Sequence, residues 1–316
     1  MSTSAHVDPT GVPPPHSTCS EDLPAHVGRR SASEVFAEFI RWTIVQEPAL
    51  LRMLPADAGR ESFLNYYASL PAEDDEAEIR RYVRGMWRGE AGWAARWIAR
   101  SLDQNGTTRP VRVLDAGCGF GTYALLFARL GATVTAADLR PDRLEVARWR
   151  NANLRWLTQN QCSADFARID VTSQLKGEFD LVWVYNALSH IDPPEVFLEK
   201  VRQHLRPGGV LVIGDLNGAN PGRVRKLDAV RSNIHETYVA PDGEAHAYAV
   251  ERPFTPEEMR DLLTSHGLRV VRHELFHGGQ GSLPDPLFKT LVEPLQGLIR
   301  LGRRWGKRQA VLATRV

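Results

Sequence analysis

The chain has 316 residues, 43% of them hydrophobic and 24% charged, a balance that excludes wholesale disorder and leaves room for about two domains. Its formal net charge of +1 provides no overall field to select nucleic acid or an acidic partner. Three scattered cysteines, Cys19, Cys118 and Cys162, exclude a disulfide framework and fit a reducing cytoplasm.

Residues 1–30, rich in Pro, Ser, Thr and His, hold no apolar run that could serve as a signal-peptide core, and a disordered tail is expected there. From Ser33, a plausible N-cap, the pattern turns helical, with Val35, Phe36, Phe39 and Ile40 on one face. Further helices are expected over Glu61–Ser69 and Asp75–Leu102, the second carrying a stripe of Ile79, Tyr82, Val83, Met86 and Trp87. Residues 31–105 thus read as an N-terminal helical cap, and Trp42, Trp87, Trp93 and Trp97 give it half of the chain's eight tryptophans.

The most informative stretch follows, Val111 to Gly131, VRVLDAGCGFGTYALLFARLG: a short apolar strand, Asp115, three alternating glycines and an amphipathic helix. At Gly117, Gly119 and Gly121 no Cβ blocks the main chain, so the loop can take φ > 0 and a ligand can lie against bare N–H groups. A dinucleotide fold wants G-x-G-x-x-G at this point. This chain reads D-x-G-x-G-x-G, with Thr122 where the third glycine would fall. An acid beside bare amides suits an amino-acid tail, with its ammonium and carboxylate, better than a diphosphate.

Next, ATVTAADLRPDRLEVAR supplies a second strand ending in Asp138, about 20 residues past the turn, where an acid is placed to accept from both ribose hydroxyls. DFARIDV is a third strand candidate, ending near Asp170. FDLVWVYNALSHI is a continuous apolar run, as expected of a strand buried on both faces. PPEVFLEKVRQHLRPGG opens a helix on proline and stops at Pro207–Gly208–Gly209, and GVLVIGDLN is the fifth strand.

This series resembles the class I S-adenosylmethionine-dependent methyltransferases, strongly over Val111–Pro207 and more loosely over the rest of the C-terminal half. The resemblance implies an α/β fold over residues 106–316: a Rossmann-like, seven-stranded mixed sheet with helices on both faces. It implies S-adenosyl-L-methionine as cofactor, bound by Asp115, Gly117, Cys118, Gly119, Gly121, Asp138, Leu139, Asp170, Val171, Tyr185 and Asn186. In the family, Asp170 would accept from the adenine amino group, and Tyr185–Asn186–Ala187 would line the methionine end and the transferable methyl. Two alternatives stay open: Asp115 fixes the loop through backbone hydrogen bonds, and Asp170 caps the next turn.

Residues 217–252 form a long insertion before the helix TPEEMRDLLTSHG. Such connections in open α/β sheets usually serve a ligand at the carboxyl ends of the strands. Arg223, Arg225, His235, Tyr238, His246 and Tyr248 are within its reach, the alternative being a solvated surface excursion. His273-Glu274-Leu275-Phe276-His277 spells H-E-x-x-H, but the β-branched run LRVVRHELF and Gly278–Gly279 argue for a sixth strand in place of a zinc helix, so no metal is expected. Asp192-Pro193-Pro194-Glu195 lacks the aromatic of the N/D-P-P-aromatic motif of amino-methyltransferases, and with no basic patch facing it nucleic acid is discounted as acceptor.

In the last segment Leu287, Phe288, Leu291, Leu295 and Leu298 make an apolar stripe, followed by Arg300, Arg303, Arg304, Lys307 and Arg308. A packed helix with a solvated basic end is one reading; a lid for a greasy substrate or a membrane-surface contact is the other, weakened by Pro294 and Gly297, and no stable membrane insertion is expected. AVLATRV closes the chain as a seventh strand, which the resemblance pairs antiparallel with the sixth.

The expected activity is methyl transfer to an oxygen or nitrogen of a small-molecule acceptor by in-line displacement, in which positioning does most of the work. A hydroxyl acceptor wants a base, His190 first by location and His235 second. An amine needs only its neutral lone pair. Methylation of protein or nucleic acid, and nicotinamide-dependent oxidoreduction, are the alternatives. Oligomeric state is left open.

Overall fold

Alternation along the strand Phe179–Tyr185 decides where the two cores lie. Leu181 and Trp183 enter one apolar cluster and Val182 and Val184 the other, as a period of two requires for a strand covered on both faces. The computed structural model describes residues 30–50, 54, 58–105, 109–159, 162, 164–222, 224–225, 235–239, 243, 245–249, 252–276 and 306–316.

The sheet has seven strands: β1 Arg112–Ala116, β2 Thr133–Asp138, β3 Ala164–Arg168, β4 Phe179–Tyr185, β5 Leu205–Leu216, β8 Leu268–Phe276 and β9 Arg308–Arg315. Their spatial order is β3-β2-β1-β4-β5-β9-β8. β1 to β5 pair in parallel, while β9 runs antiparallel to both β5 and β8. The expected Rossmann-like mixed sheet is present, including its antiparallel edge.

One face is covered by α1 Ala32–Val45, α5 Glu90–Asn105, α6 Thr122–Arg129 and α7 Pro141–Leu157. Phe36, Phe39, Ile98, Leu125 and Leu144 pack there with Val113 and Trp183. Each fully buried phenylalanine contributes roughly 1.5–3 kcal/mol by leaving water. The other face is covered by α8 Pro194–His204 and α9 Pro256–Ser265, through Phe197, Leu198, Val201, Met259 and Leu263. Two of the expected cap helices, α1 and α5, therefore double as part of the sheet's own helical layer.

Several boundaries differ from the sequence reading. Ser31, not Ser33, caps α1, because Glu34 stands three residues on and completes a capping box with both reciprocal bonds. The expected helix 75–102 is two, α4 Glu76–Arg88 and α5, separated at Gly89. The second helix starts so close to the first that a Cβ on Gly92 would lie 1.7 Å from the Trp87 carbonyl oxygen, and Arg96 Nη1 donates to that oxygen at 2.8 Å. The two remaining cap helices are α2 Glu47–Leu50 and α3 Ala58–Tyr67. α8 stops at His204, ahead of the Pro-Gly-Gly, because Leu205 already pairs with Phe179. Within the insertion lies an antiparallel hairpin, β6 His235–Val239 and β7 Ala245–Ala249, which the sequence reading treated as irregular.

The first four of the H-E-x-x-H letters, His273 to Phe276, are strand. His273 lies on β8, where its Nε2 donates to Gln309 Oε1 of β9 at 2.9 Å, and His277 lies outside the described residues. No group of three or more His, Cys, Asp or Glu that could hold a metal occurs among the described residues. No helix among them is long and apolar enough to cross a membrane. The apolar stripe 287–298 and the basic residues 300–304 also lie outside the described residues.

Candidate functional site

β1 is flanked by β2 and β4, and the chain leaves β1 toward β2 but leaves β4 toward β5, on the opposite side. That reversal opens a crevice at the carboxyl ends, where open α/β sheets bind ligands. Register sets the heights. Ala116 stands beside Ala137 and Val184, so the turn that starts at Gly117 emerges level with Asp138 and Tyr185.

The glycines of that turn have φ values of +75° at Gly117, +53° at Gly119 and +78° at Gly121. Their neighbours differ. A Cβ on Gly117 would stand 2.4 Å from that of Ala187, and one on Gly121 would stand 2.6 Å from the Phe166 ring, whereas Gly119 faces open space. The amides of Gly117 and Cys118 donate to the Ala137 carbonyl at 2.8 and 2.9 Å, and Gly121 N donates to Cys118 O at 2.9 Å. Asp138 accepts from Gly119 N at 2.8 Å and from Arg140 N at 2.9 Å, joining the turn to the loop after β2, where Leu139 is half-buried.

Asp115 sits under the turn, 2% exposed, and its Oδ2 has no hydrogen-bond partner. Burial, and then the charge of Asp138, push its pKa up to about 8 against the pull of the Ala124 amide. A buried carboxylate with one oxygen unpartnered is costly to ionise, and an adjacent cation would offset that cost. Burial likewise holds the Cys118 thiol well above its usual range.

Asp170 lies two residues past β3, next to Ile169, whose amide donates to Asp138 O at 3.4 Å. Its Oδ1 accepts from Thr172 N at 2.8 Å and Thr172 Oγ1 at 2.6 Å, which is the turn-capping role. Val171 beside it is buried. Asn186, at φ +49°, donates its amide to Gly214 O at 2.7 Å and has an exposed side chain.

Above the ends of β4 and β5 stands a wall of tyrosines from four elements: Tyr66 of α3, Tyr82 of α4, Tyr123 of α6 and Tyr185 of β4. Tyr123 lies 4.6 Å from Tyr185 by ring centroid, and burial raises the pKa of Tyr66, Tyr82 and Tyr123 above the ordinary phenol value. Arg308 covers the Tyr185 ring at 4.3 Å, donates to its hydroxyl and bonds Glu90 Oε1 at 2.9 Å. Sequence reasoning placed Arg308 in a solvated basic run. Its side chain is only 24% exposed, because it opens β9 opposite Leu216 and points under α5 to Glu90. Tyr66, Tyr123 and Glu90 carry no motif that could have signalled them.

His190 ends the short 3₁₀ turn Leu188–His190 after β4 and is half-buried. Ser189 just before it donates its amide (2.9 Å) and hydroxyl (3.1 Å) to Asp215, whose pKa burial raises and whose neighbours, His190 among them, pull back. An imidazole therefore stands near a buried carboxylate at the crevice. His235 is on β6, and its side chain, like those of Tyr238, His246 and Tyr248, lies outside the described residues, as does Arg223; Arg225 is exposed.

Residues 114–211 match the family model for a methyltransferase domain. Over 125 residues the chain is 34% identical to a ubiquinone biosynthesis O-methyltransferase of Xanthomonas oryzae pv. oryzae, covering 38% of this chain and 48% of that protein. A protein of the same description from Xanthomonas campestris pv. campestris is 36% identical over 110 residues, 34% of this chain and 43% of that one. The chain thus spans about half the length of the curated relatives it matches. Among solved structures, magnesium protoporphyrin IX methyltransferase of Synechocystis PCC 6803 with bound SAH superimposes with a TM-score of 0.49 at 14% identity, covering 81% of this chain and 95% of that one.

Proposed function

We propose that this chain, whose residues 114–211 match a methyltransferase-domain model, is a class I S-adenosylmethionine-dependent methyltransferase that transfers a methyl group from S-adenosyl-L-methionine to an oxygen of a small-molecule acceptor. The observation that carries the reading is the buried, unpartnered Asp115 oxygen beneath a turn whose middle glycine, Gly119, faces open space. An ammonium would satisfy that oxygen. The names of the relatives as O-methyltransferases support oxygen over nitrogen. With a net charge of +1, a small molecule suits the site better than nucleic acid.

When bound, the cofactor supplies a methyl on a sulfonium, open to in-line displacement. The residues do the rest. Gly117–Gly121 and Asp115 hold the amino-acid tail, Asp138 accepts from the ribose with lone pairs left over from its two backbone bonds, and Asp170, Val171 and Leu139 flank the base. Tyr185 and Asn186 line the methyl end. The tyrosine wall excludes water and orients the acceptor, which accounts for most of the expected acceleration. His190, with Asp215 close enough to feel its charge, takes the acceptor hydroxyl's proton. We place the reaction in a reducing cytoplasm, in keeping with the free thiols of Cys118 and Cys162.

Isothermal calorimetry with S-adenosylhomocysteine tests the binding half of this reading, and absence of any association would end it. Labelled S-adenosylmethionine with a metabolite extract tests the rest. The expected product is heavier by one methylene and resists mild hydrolysis as an ether does, and an N-methyl product would overturn the assignment to oxygen. His190→Ala with normal cofactor affinity and full turnover would remove the base.

A further inference from the structure

Arg150, on α7, is fully buried, and its guanidinium bonds to groups outside its own helix. Nε and Nη2 donate to the two oxygens of Glu47 in α2 at 2.7 and 2.8 Å. Nη1 donates to the main-chain oxygen of Phe120 at 2.6 Å and to Thr122 Oγ1 at 2.8 Å. Phe120 lies between Gly119 and Gly121, and Thr122 opens α6. The guanidinium thus connects the helical cap to the glycine turn.

The cap closes on the same point from its own side. Phe63 lies 5.0 Å from Phe120 by ring centroid and 5.1 Å from the Arg150 guanidinium carbon. Tyr66 places its hydroxyl 3.3 Å from Thr122 Oγ1, and Tyr67 donates to Glu47. Glu47 is 1% exposed, so the pair is fully desolvated.

A pair of apolar side chains of the same volume would hold α2 against α7 at least as well, since buried ion pairs are seldom a net gain over good packing. What apolar atoms cannot do is hold a carbonyl. The peptide unit is planar, so a donor that fixes Phe120 O also fixes the direction of the Gly121 N–H, which closes the turn on Cys118 O at 2.9 Å. The two bonds lie on opposite edges of one rigid plate, and together they set the height of the turn.

We propose that Arg150, held in place by Glu47, is the positioning residue that shapes the glycine turn from the cap side, so that affinity for the S-adenosyl ligand depends on docking of α2 and α3. This rests on the reading of the turn as the cofactor site. Neither residue touches the ligand; both act through the Phe120 carbonyl.

Calorimetry with S-adenosylhomocysteine on the full chain, with a thermal melt of each ligand-free variant, tests it. Glu47→Gln and Arg150→Met should each weaken binding at least tenfold, the double variant should be no worse than the weaker single, and Arg150→Lys should recover part of the loss. Variants that melt lower yet bind within threefold of wild type would show a purely structural ion pair and overturn the inference while leaving the cofactor reading intact. Wild-type protein that binds no S-adenosylhomocysteine would overturn both. Should the variants fail to fold, hydrogen exchange on wild type decides: amides of Glu47, Ala49 and Leu50 and of residues 60–67 gain protection on saturation with the ligand if the inference holds, and their exchange is unchanged if it does not.

Discussion

The two halves of the crevice are built on different terms. On the β2–β1 side the working groups are backbone amides, carbonyls and two carboxylates, all within residues 115–140 and fixed by left-handed glycines and strand register. On the β4–β5–β9 side they are side chains brought from α3, α4, α5, α6 and β9, as in the Glu90–Arg308 contact that joins residues 218 positions apart. On the proposed reading the first half holds the cofactor. The second half, where the same reading puts the acceptor, is composed residue by residue.

The sharpest way to break the first half is Gly121→Val. A left-handed β-branched residue costs about 1–2 kcal/mol and overpacking against Phe166 roughly 1–3 more, so denaturant unfolding should show a large loss along with loss of S-adenosylhomocysteine binding. Gly119→Ala separates the two effects: stability should fall by only about 1 kcal/mol, since its Cβ meets nothing, while ligand affinity falls more than tenfold.

Asp115→Asn should act through pH. The folded-state pKa of about 8 stands above the ordinary 3.8, so the folded chain holds this proton more tightly than the unfolded chain. Its contribution is fully present below the unfolded value and is lost as pH climbs from about 4 through 8. Denaturation midpoints should therefore fall across that window in wild type and be flatter in the variant. A cation placed at Oδ2 lowers the pKa again, so binding near pH 7 should release a proton, visible as a buffer-dependent calorimetric enthalpy that Asp115→Asn abolishes.

The second half should respond differently. Arg308→Gln leaves Glu90 and the Tyr185 hydroxyl without their cation, and turnover should fall at least tenfold with cofactor affinity within threefold, a split that steady-state kinetics and calorimetry together would expose. Equal loss of both would mean the two halves are not separable. The smallest effect is expected at Thr255→Ala, which removes the capping box of α9: about 1 kcal/mol of stability, read by thermal melting, with no change in ligand binding.

The same contrast explains what the sequence made legible. Strands β1 to β5 and the turn could be read because glycine spacing and apolar runs are local chemistry. The Ser31 cap was equally local, written as serine with glutamate three places on. Gly89 was harder, since a glycine inside a strong helical stripe is tolerated in most helices, and the break depends on how closely Gly92 passes the Trp87 carbonyl. Arg308 and Glu47 were out of reach, because each owes its position to a partner 100 or more residues away, Glu90 at 218 and Arg150 at 103.

The raised pKa values of Tyr66, Tyr82 and Tyr123 bear on the chain's own safety. A phenol is alkylated far more readily as its phenolate, so a sulfonium held near these rings, as the proposed function has it, would meet only neutral hydroxyls. Hydroxyls kept protonated in an apolar setting would leave the incoming substrate as the better nucleophile.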